Sequence, residues 1–567
     1  MTEKLKLRVR DTITLLALVL LMALPGLSKL PVIDRDEARY AQASVQMIES
    51  GDYINIKFQD RARNKKPAGA YWAQTLSVNL FSDTGARAIW AHRLPSVFAA
   101  LIAVMAVYWG GIRMLGREVA LMGAVLLSIS MLFVFEAHIA KTDALLCAMS
   151  ALVLASLGVL RNGGGRTASI LFWIALGAGV MIKGPLLPIL VILCVVSLVI
   201  WERDLSWLKP LGFWLGPVVF ALIVLPWTVL IFKETGGDFF KDAIGGDLTP
   251  KLKGGQERHG GPPGYYLMGI WVFFWPASLF LLAGFSFALR AAFNKAVKTG
   301  PVARSARLLL CWTVPFWIML EIVPTKLPHY PLPVYPALAL MAGASALTLT
   351  QVREFKYLRH ISAFLFLVVS IALPAGILFA QARYGDYPSW SFAVMGLVIV
   401  LAFFAAIQMW KGHGRPAIWL SLLAALLINI ASYQFILPSL SDFRVAERIG
   451  KALKSEGYRI PLNPAVNLIS TQYTEPSLVY HLGTHILLGQ PQKRLQQANL
   501  KSGDIVVIDK KKEPTAHFND QIKHKLANKG LCLEPLFSLN GFNYAKGDEV
   551  EIEALKVSGC VDPVTSP

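Results

Sequence analysis

Apolar stretches long enough to cross a bilayer recur along most of this chain, and they leave it few ways to fold. About thirteen begin, near residues 12, 94, 119, 142, 168, 185, 210, 265, 307, 333, 361, 390 and 416, each near the roughly 20 helical residues that a hydrocarbon core demands. Lipid offers no partner for backbone N–H and C=O groups, so such segments must satisfy them internally. The fold class expected is therefore a polytopic α-helical membrane protein. Composition agrees: 55% of residues are hydrophobic and only 16% charged, against about 25% charged in soluble domains. Fifteen Trp and sixteen Tyr suit interfacial belts. The first stretch, Thr12 to Leu30, lacks a small-residue cleavage site before Val32, so it reads as a retained span and not a cleaved signal.

Lys and Arg in the short loops set the orientation. Lys4, Lys6, Arg8 and Arg10, then Arg113 and Arg117, Arg161 and Arg166, and the group from Arg290 to Arg307 fall on one side of an odd number of spans. That side is read as cytoplasmic. The tail after Leu437 then lies outside, in a bacterial periplasm, as do loops at about 31–92 and 233–264. Residues 1–437 are expected as the membrane domain and 438–567 as a periplasmic α/β domain. In the tail, 442–456 and 516–529 read as helices, and 466–470 and 505–508 as buried strands. The tail holds 16 Lys/Arg against 14 Asp/Glu, which leaves +17 of the +19 net charge to the membrane part. Topology accounts for much of that excess, so the basic pI is no argument for nucleic acid. Cys147, Cys194 and Cys311 fall in spans as small core residues. Cys532 and Cys560 share the outside tail, where pairing or free thiols are both open.

The chemistry concentrates just after the first span, in Asp34-Arg35-Asp36-Glu37-Ala38-Arg39-Tyr40, followed by Arg61-Ala62-Arg63-Asn64-Lys65-Lys66-Pro67. Residues 36–50 have helical spacing, with Tyr40, Ala43, Ser44, Met47 and Ile48 on one stripe and Gly51 as the stop. Asp34 and Glu37 stand at capping-box spacing, so either carboxylate serves the helix end or the reaction. Asp36 is harder to explain as a capping group. A carboxylate that takes a proton, beside cations that hold a phosphate, is the equipment for sugar transfer from a phosphate-linked donor. Asp143 is a second acidic candidate, or simply a helix start. Lys183 either touches phosphate or anchors a span end. Glu136 with His138 is too sparse for a metal site.

These residues carry a resemblance. Asp36-Glu37-Ala38-Arg39-Tyr40-Ala41, Ser50-Gly51-Asp52, Lys66-Pro67, Tyr71-Trp72, Lys141-Thr142-Asp143, Lys183-Gly184-Pro185 and Lys326-Leu327-Pro328-His329-Tyr330-Pro331-Leu332-Pro333 occur in order through the membrane part. Together they resemble the bacterial aminoarabinose (undecaprenyl-phosphate-sugar:lipid A) transferases, within the protein-mannosyltransferase-like GT-C glycosyltransferases. The resemblance implies that Asp36, with Glu37 and Asp143 as further catalytic candidates, activates the acceptor. It implies that Arg39, Lys66, Lys183, Arg258, His259, Lys326 and Tyr330 handle the donor phosphate. Family members commonly carry Glu before the Lys-Pro pair, where this chain has Lys65. That makes the site more cationic and puts any metal site using that Glu in doubt. No metal ligands are assigned, and a divalent metal stays open as a cofactor.

The reading is a glycosyltransferase of the bacterial inner membrane. Its partners are a polyprenyl-phosphate-sugar donor, a glycolipid or glycan acceptor such as lipid A, and the bilayer, with no nucleic acid. Protein O-glycosylation within the same superfamily is the alternative acceptor class. A lipid or sugar transporter is the alternative from a different class, but its signature of repeated halves and mid-span charges is not apparent.

Overall fold

The computed structural model describes residues 3–82, 86–254, 260–294, 300–349, 356–386, 388–489, 500–512 and 526–560. Each of the thirteen anticipated starts coincides with a helix. Length and composition do not confirm thirteen spans among the described residues. Among the described residues eight helices qualify singly, and ten if two bent pairs are each one span. Ser130, between Arg117–Ile129 and Met131–Ala137, marks a 63° bend, and the break between Tyr265–Phe273 and Ala277–Phe293 marks one of 117°. Leu186–Glu202 and Leu332–Thr348 are apolar but short. The first helix runs Glu3–Ala23, earlier than the apolar stretch suggested, because charged residues extend it at its N-terminal end.

The helices differ in how far they are enclosed. Asp143–Arg161 is 89% buried along its apolar window, whereas Leu215–Thr235 is 17% buried. The first is a central strut packed on all sides. The second turns Leu222, Leu225 and Phe232 outward, as a lipid-facing helix must when its surroundings are as apolar as itself.

After Leu437 the chain forms a mixed five-stranded sheet. With β1 (Lys57–Phe58) and β2 (Arg61–Ala62) forming a hairpin earlier in the chain, its strands are β3 (Leu468–Ser470), β4 (Leu487–Leu488), β5 (Ile505–Asp509), β6 (Leu531–Asn543) and β7 (Asp548–Gly559), in the order β4-β3-β5-β7-β6. β3 pairs parallel with β4 and β5, while β5, β7 and β6 are antiparallel. The Ile-Val-Val-Ile run of β5 is buried along its whole length, as expected of a central strand. Helix Val445–Ser455 packs Val445, Ile449 and Leu453 into the same core. Most of the anticipated helix at 516–529 lies outside the described residues. Cys532 and Cys560 are joined in a disulfide, which resolves the two alternatives left open above.

Candidate functional site

The helix read at 36–50 is present as Asp36–Ser50 and ends at Gly51 with φ 71°, a left-handed cap suited to glycine. The anticipated stripe is buried: Tyr40, Ala43 and Met47 pack against Tyr71, Met181 and Trp227, and Ser44 donates to Gln74. The β1–β2 hairpin then reverses the chain, so that the basic run 61–66 comes back beside this helix. Helix Gly69–Phe81 follows. The consequence is one cavity of about 310 Å³ beside the start of the Asp36 helix.

Around that cavity the structure brings together Asp36, Glu37, Arg39, Lys66, Asp143, Lys183 and Tyr330 of the anticipated site residues. Asp36 is exposed to it, and among the described residues its carboxylate makes no hydrogen bond or close ion pair. Burial pushes its carboxyl up, but the Lys141, Arg63 and Arg39 charges outweigh that and hold it below the ordinary carboxylate range. A charged, unpaired carboxylate among cations is unusual and costs solvation energy, which marks a functional group more than a structural one.

Glu37 is different, and the catalytic expectation for it does not fit its surroundings. Its side chain is fully buried in a two-pronged pair with Arg93, with both N–O contacts at 2.8 Å. It also accepts the backbone N–H groups of Ile33 and Ala140, each at 2.8 Å. Both oxygens are committed, so Glu37 staples the loop to the bundle. The capping box anticipated from sequence does not form: Glu37 reaches past Asp34 to Ile33, and the Asp34 N–H donates to Tyr544. The Asp34 carboxylate accepts the N–H of Ser477 instead.

Asp143 is likewise occupied. It pairs with Lys183 at 2.5 Å and stands 3.6 Å from the Lys141 ammonium, which in turn pairs with Glu136 at 2.9 Å. The result is an alternating chain of charges, Glu136–Lys141–Asp143–Lys183, along the cavity wall. Its carboxylates fix two ammonium groups in place. Burial works against the Lys141 charge, but Glu136 and Asp143 outweigh it and hold that ammonium above its ordinary range. Burial also drives the neighbouring His329 down to about 3, so its neutral Nδ1 accepts from Lys141 at 3.3 Å. Glu136, Asp143 and His329 approach one another closely enough to hold a metal ion. The two lysines already neutralise those carboxylates, so the set does not fit a divalent cation.

On the opposite wall Lys66 pairs with Asp247 at 2.5 Å, and Lys251 takes the other oxygen of Asp247 at 2.7 Å. Burial, aided by the nearby Lys251, lowers the Lys66 ammonium to about 8. Arg63 lies over the Tyr40 ring, 5.2 Å from its centre, and its Nε donates to Tyr71 Oη at 3.2 Å. The Lys183 ammonium is 5.6 Å from the Tyr330 ring centre, a favourable cation–π approach.

Three anticipated phosphate ligands need correction or remain outside. Lys326 does not line the cavity. Its ammonium turns away to the carbonyls of Leu320 and Glu321, at 2.6 and 2.7 Å, closing the C-terminal end of helix Pro301–Ile322. Unsatisfied carbonyls at a helix end attract such a cation. Arg258 and His259 lie outside the described residues. Arg63, Lys141, His329 and Lys251 were not assigned from sequence. The basic run 61–66 and the Lys-Thr-Asp motif pointed to their neighbourhood, but not to which side chains face inward.

Comparison with known proteins follows the same pattern. Residues 11–235 match a family model described as dolichyl-phosphate-mannose-protein mannosyltransferase. The undecaprenyl phosphate-alpha-4-amino-4-deoxy-L-arabinose arabinosyl transferase of Erwinia tasmaniensis is 27% identical over 314 residues, and the match spans about half (54%) of either chain. Its counterpart in Aeromonas salmonicida is 25% identical over 445 residues, covering 76% of this chain and 78% of that one. The crystal structure of ArnT from Cupriavidus metallidurans bound to undecaprenyl phosphate superposes with a TM-score of 0.70 at 18% identity, over 98% of this chain and 99% of that one. At that identity the superposition speaks for the fold. An archaeal oligosaccharyltransferase from Archaeoglobus fulgidus matches at a TM-score of 0.52.

Proposed function

We propose that this chain, an aminoarabinose-transferase-like member of the protein-mannosyltransferase-like GT-C glycosyltransferases, moves a sugar from undecaprenyl phosphate to lipid A or a related envelope glycolipid. In this reading it is a multi-pass protein of the bacterial inner membrane. Residues 1–437 form its catalytic membrane domain, and 438–567 form a periplasmic domain. The cavity, with the loops 31–92 and 233–264 around it, faces the periplasm.

One observation carries the reading: a single cavity sets an unpaired carboxylate, Asp36, against Arg63, Lys66 and Lys183. The donor's sugar C1–O bond breaks, and the electron pair leaves on the polyprenyl phosphate. That leaving group is already a stable anion and wants fixed positive charge more than a proton. Arg63 is fixed by Tyr40 and Tyr71, Lys66 by Asp247, and Lys183 by Asp143, so little reorganisation is needed as charge develops. The acceptor oxygen attacks C1 from the far side and gives its proton to Asp36. A general base contributes about 10²–10⁴-fold. If the acceptor oxygen belongs to a phosphate it needs no base, and holding it in place dominates.

Protein O-glycosylation is the second reading, favoured by the family description over residues 11–235. Purified protein is incubated with labelled undecaprenyl-phosphate sugars and, in separate arms, lipid A and unstructured Ser/Thr peptides. Label in the lipid A arm supports the proposal, and label confined to peptide replaces it with the second reading. No transfer to either from any donor overturns both.

A further inference from the structure

The turn that delivers Asp36 is held at both ends, by different parts of the chain. Downstream, Glu37 is stapled to Arg93 and to the N–H of Ala140 in the helical bundle. Upstream, Arg93 also holds the carbonyls of Leu30 and Pro31, but Asp34 and Arg35 are anchored by the C-terminal sheet domain. The N–H of Asp34 donates to Tyr544 Oη at 2.5 Å, and the Asp34 carboxylate accepts the N–H of Ser477 at 3.0 Å. Arg35 lies 3.9 Å from Glu475, whose other oxygen receives the Asn543 amide at 2.9 Å. Between the two clamps Arg35 adopts φ 68°, a conformation that non-glycine residues rarely hold unless their surroundings impose it. Asp36 comes next, and among the described residues its side chain has no hydrogen bond to fix it.

The domain is seated on this helix, not tethered near it. Tyr480 is buried against Val32, Ala38, Ala41 and Val45. Gln42 donates to Thr484 at 2.8 Å, and Arg87 to the carbonyl of Tyr480 at 2.6 Å.

We infer that the C-terminal domain is a working part of the active site, with Asp34 and Tyr544 as positioning residues that hold the strained turn and aim Asp36. The inference rests on the reading of Asp36 as acceptor-activating base. Burial pushes the Asp34 carboxyl up to about 7, which fits a closed clasp and not an open loop.

The full-length protein in nanodiscs tests it. Asp34→Ala, Asp34→Asn, Tyr544→Phe and Asp36→Asn are compared for turnover at saturating donor and for affinity toward undecaprenyl phosphate. Misplacing a reacting group by a fraction of an ångström to an ångström costs about 10- to 100-fold, so Asp34→Ala and Tyr544→Phe are expected to lose that much kcat. Donor affinity stays within about twofold of wild type, because the phosphate cations keep their own anchors. Asp34→Asn keeps an oxygen for the Ser477 N–H and recovers most of the rate, which a general loss of folding would not allow. Should Asp34→Ala fail to accumulate, Tyr544→Phe carries the same test by deleting one hydroxyl. Wild-type kcat in Asp34→Ala or Tyr544→Phe beside an inactive Asp36→Asn overturns the clasp and leaves Asp36 standing. An active Asp36→Asn removes the premise itself.

Discussion

Adjacent residues Asp36 and Glu37 are expected to fail in opposite ways when each is made its amide. Asp36 is exposed to the cavity, and its carboxylate is bonded to nothing among the described residues. Asp36→Asn therefore removes a base without breaking a contact. Its stability change should lie within about 0.5 kcal/mol, the usual range for a substitution away from buried networks. Its turnover should fall by about 10² or more. Glu37→Gln does the reverse. It breaks a fully buried pair with Arg93 and leaves that guanidinium charge enclosed, with carbonyls of Leu27, Leu30 and Pro31 as its remaining partners. Breaking one side of such a pair costs about 3–5 kcal/mol. The four hydrogen bonds received by the two Glu37 oxygens cannot all be kept by an amide with one acceptor. Thermal unfolding of the two variants in the same nanodiscs, beside single-turnover transfer at saturating donor, gives the comparison. A stable but fully active Asp36→Asn refutes the assignment of the base. A Glu37→Gln that unfolds like wild type refutes the account of Glu37 as a structural staple.

The cations make further predictions. The Lys66 ammonium is lowered to about 8 by burial and binds phosphate only when protonated. Affinity for undecaprenyl phosphate, titrated across pH, should therefore fall as pH rises through about 8, and Lys66→Arg should move that fall to higher pH because arginine stays protonated. Asp36 lies below the ordinary carboxylate range, so it remains an available base throughout neutral pH and the rate should drop only in acid. Lys326→Met is expected to leave donor affinity unchanged while lowering the unfolding temperature, since it strips the carbonyls of Leu320 and Glu321 of their partner. After reduction, a membrane-impermeant thiol reagent should label Cys532 and Cys560 from the outer face of intact spheroplasts, and labelling only from within would invert the proposed orientation.

Much of this protein was legible in one dimension because bilayer and helix impose rules that act locally. Apolar length set the class of fold, and the 3.6-residue spacing fixed the Asp36–Ser50 helix, with Gly51 as its stop. Four of the five residues of β5, Ile505 to Ile508, were readable from an unbroken apolar run. The motifs around Asp36, Lys66, Asp143 and Tyr330 marked the neighbourhood of a site spread over nearly the whole membrane part.

Other features depended on partners distant in sequence. Periodicity gave the Asp36 helix one buried stripe, but its opposite face, Ala38, Ala41 and Val45, is buried too, by Tyr480. Small residues there carry no signal of what covers them. Charge type could not separate Asp36 from Glu37, or Lys66 from Lys326. In each pair one member faces the cavity and the other is spent on a structural contact, with Arg93 or with helix-end carbonyls. The sequence by itself determined a helical membrane protein with a site at the start of its first loop. Only the tertiary structure decided which charges face that site, because whether a charged group points into the cavity or is turned into a structural contact depends on partners distant in sequence.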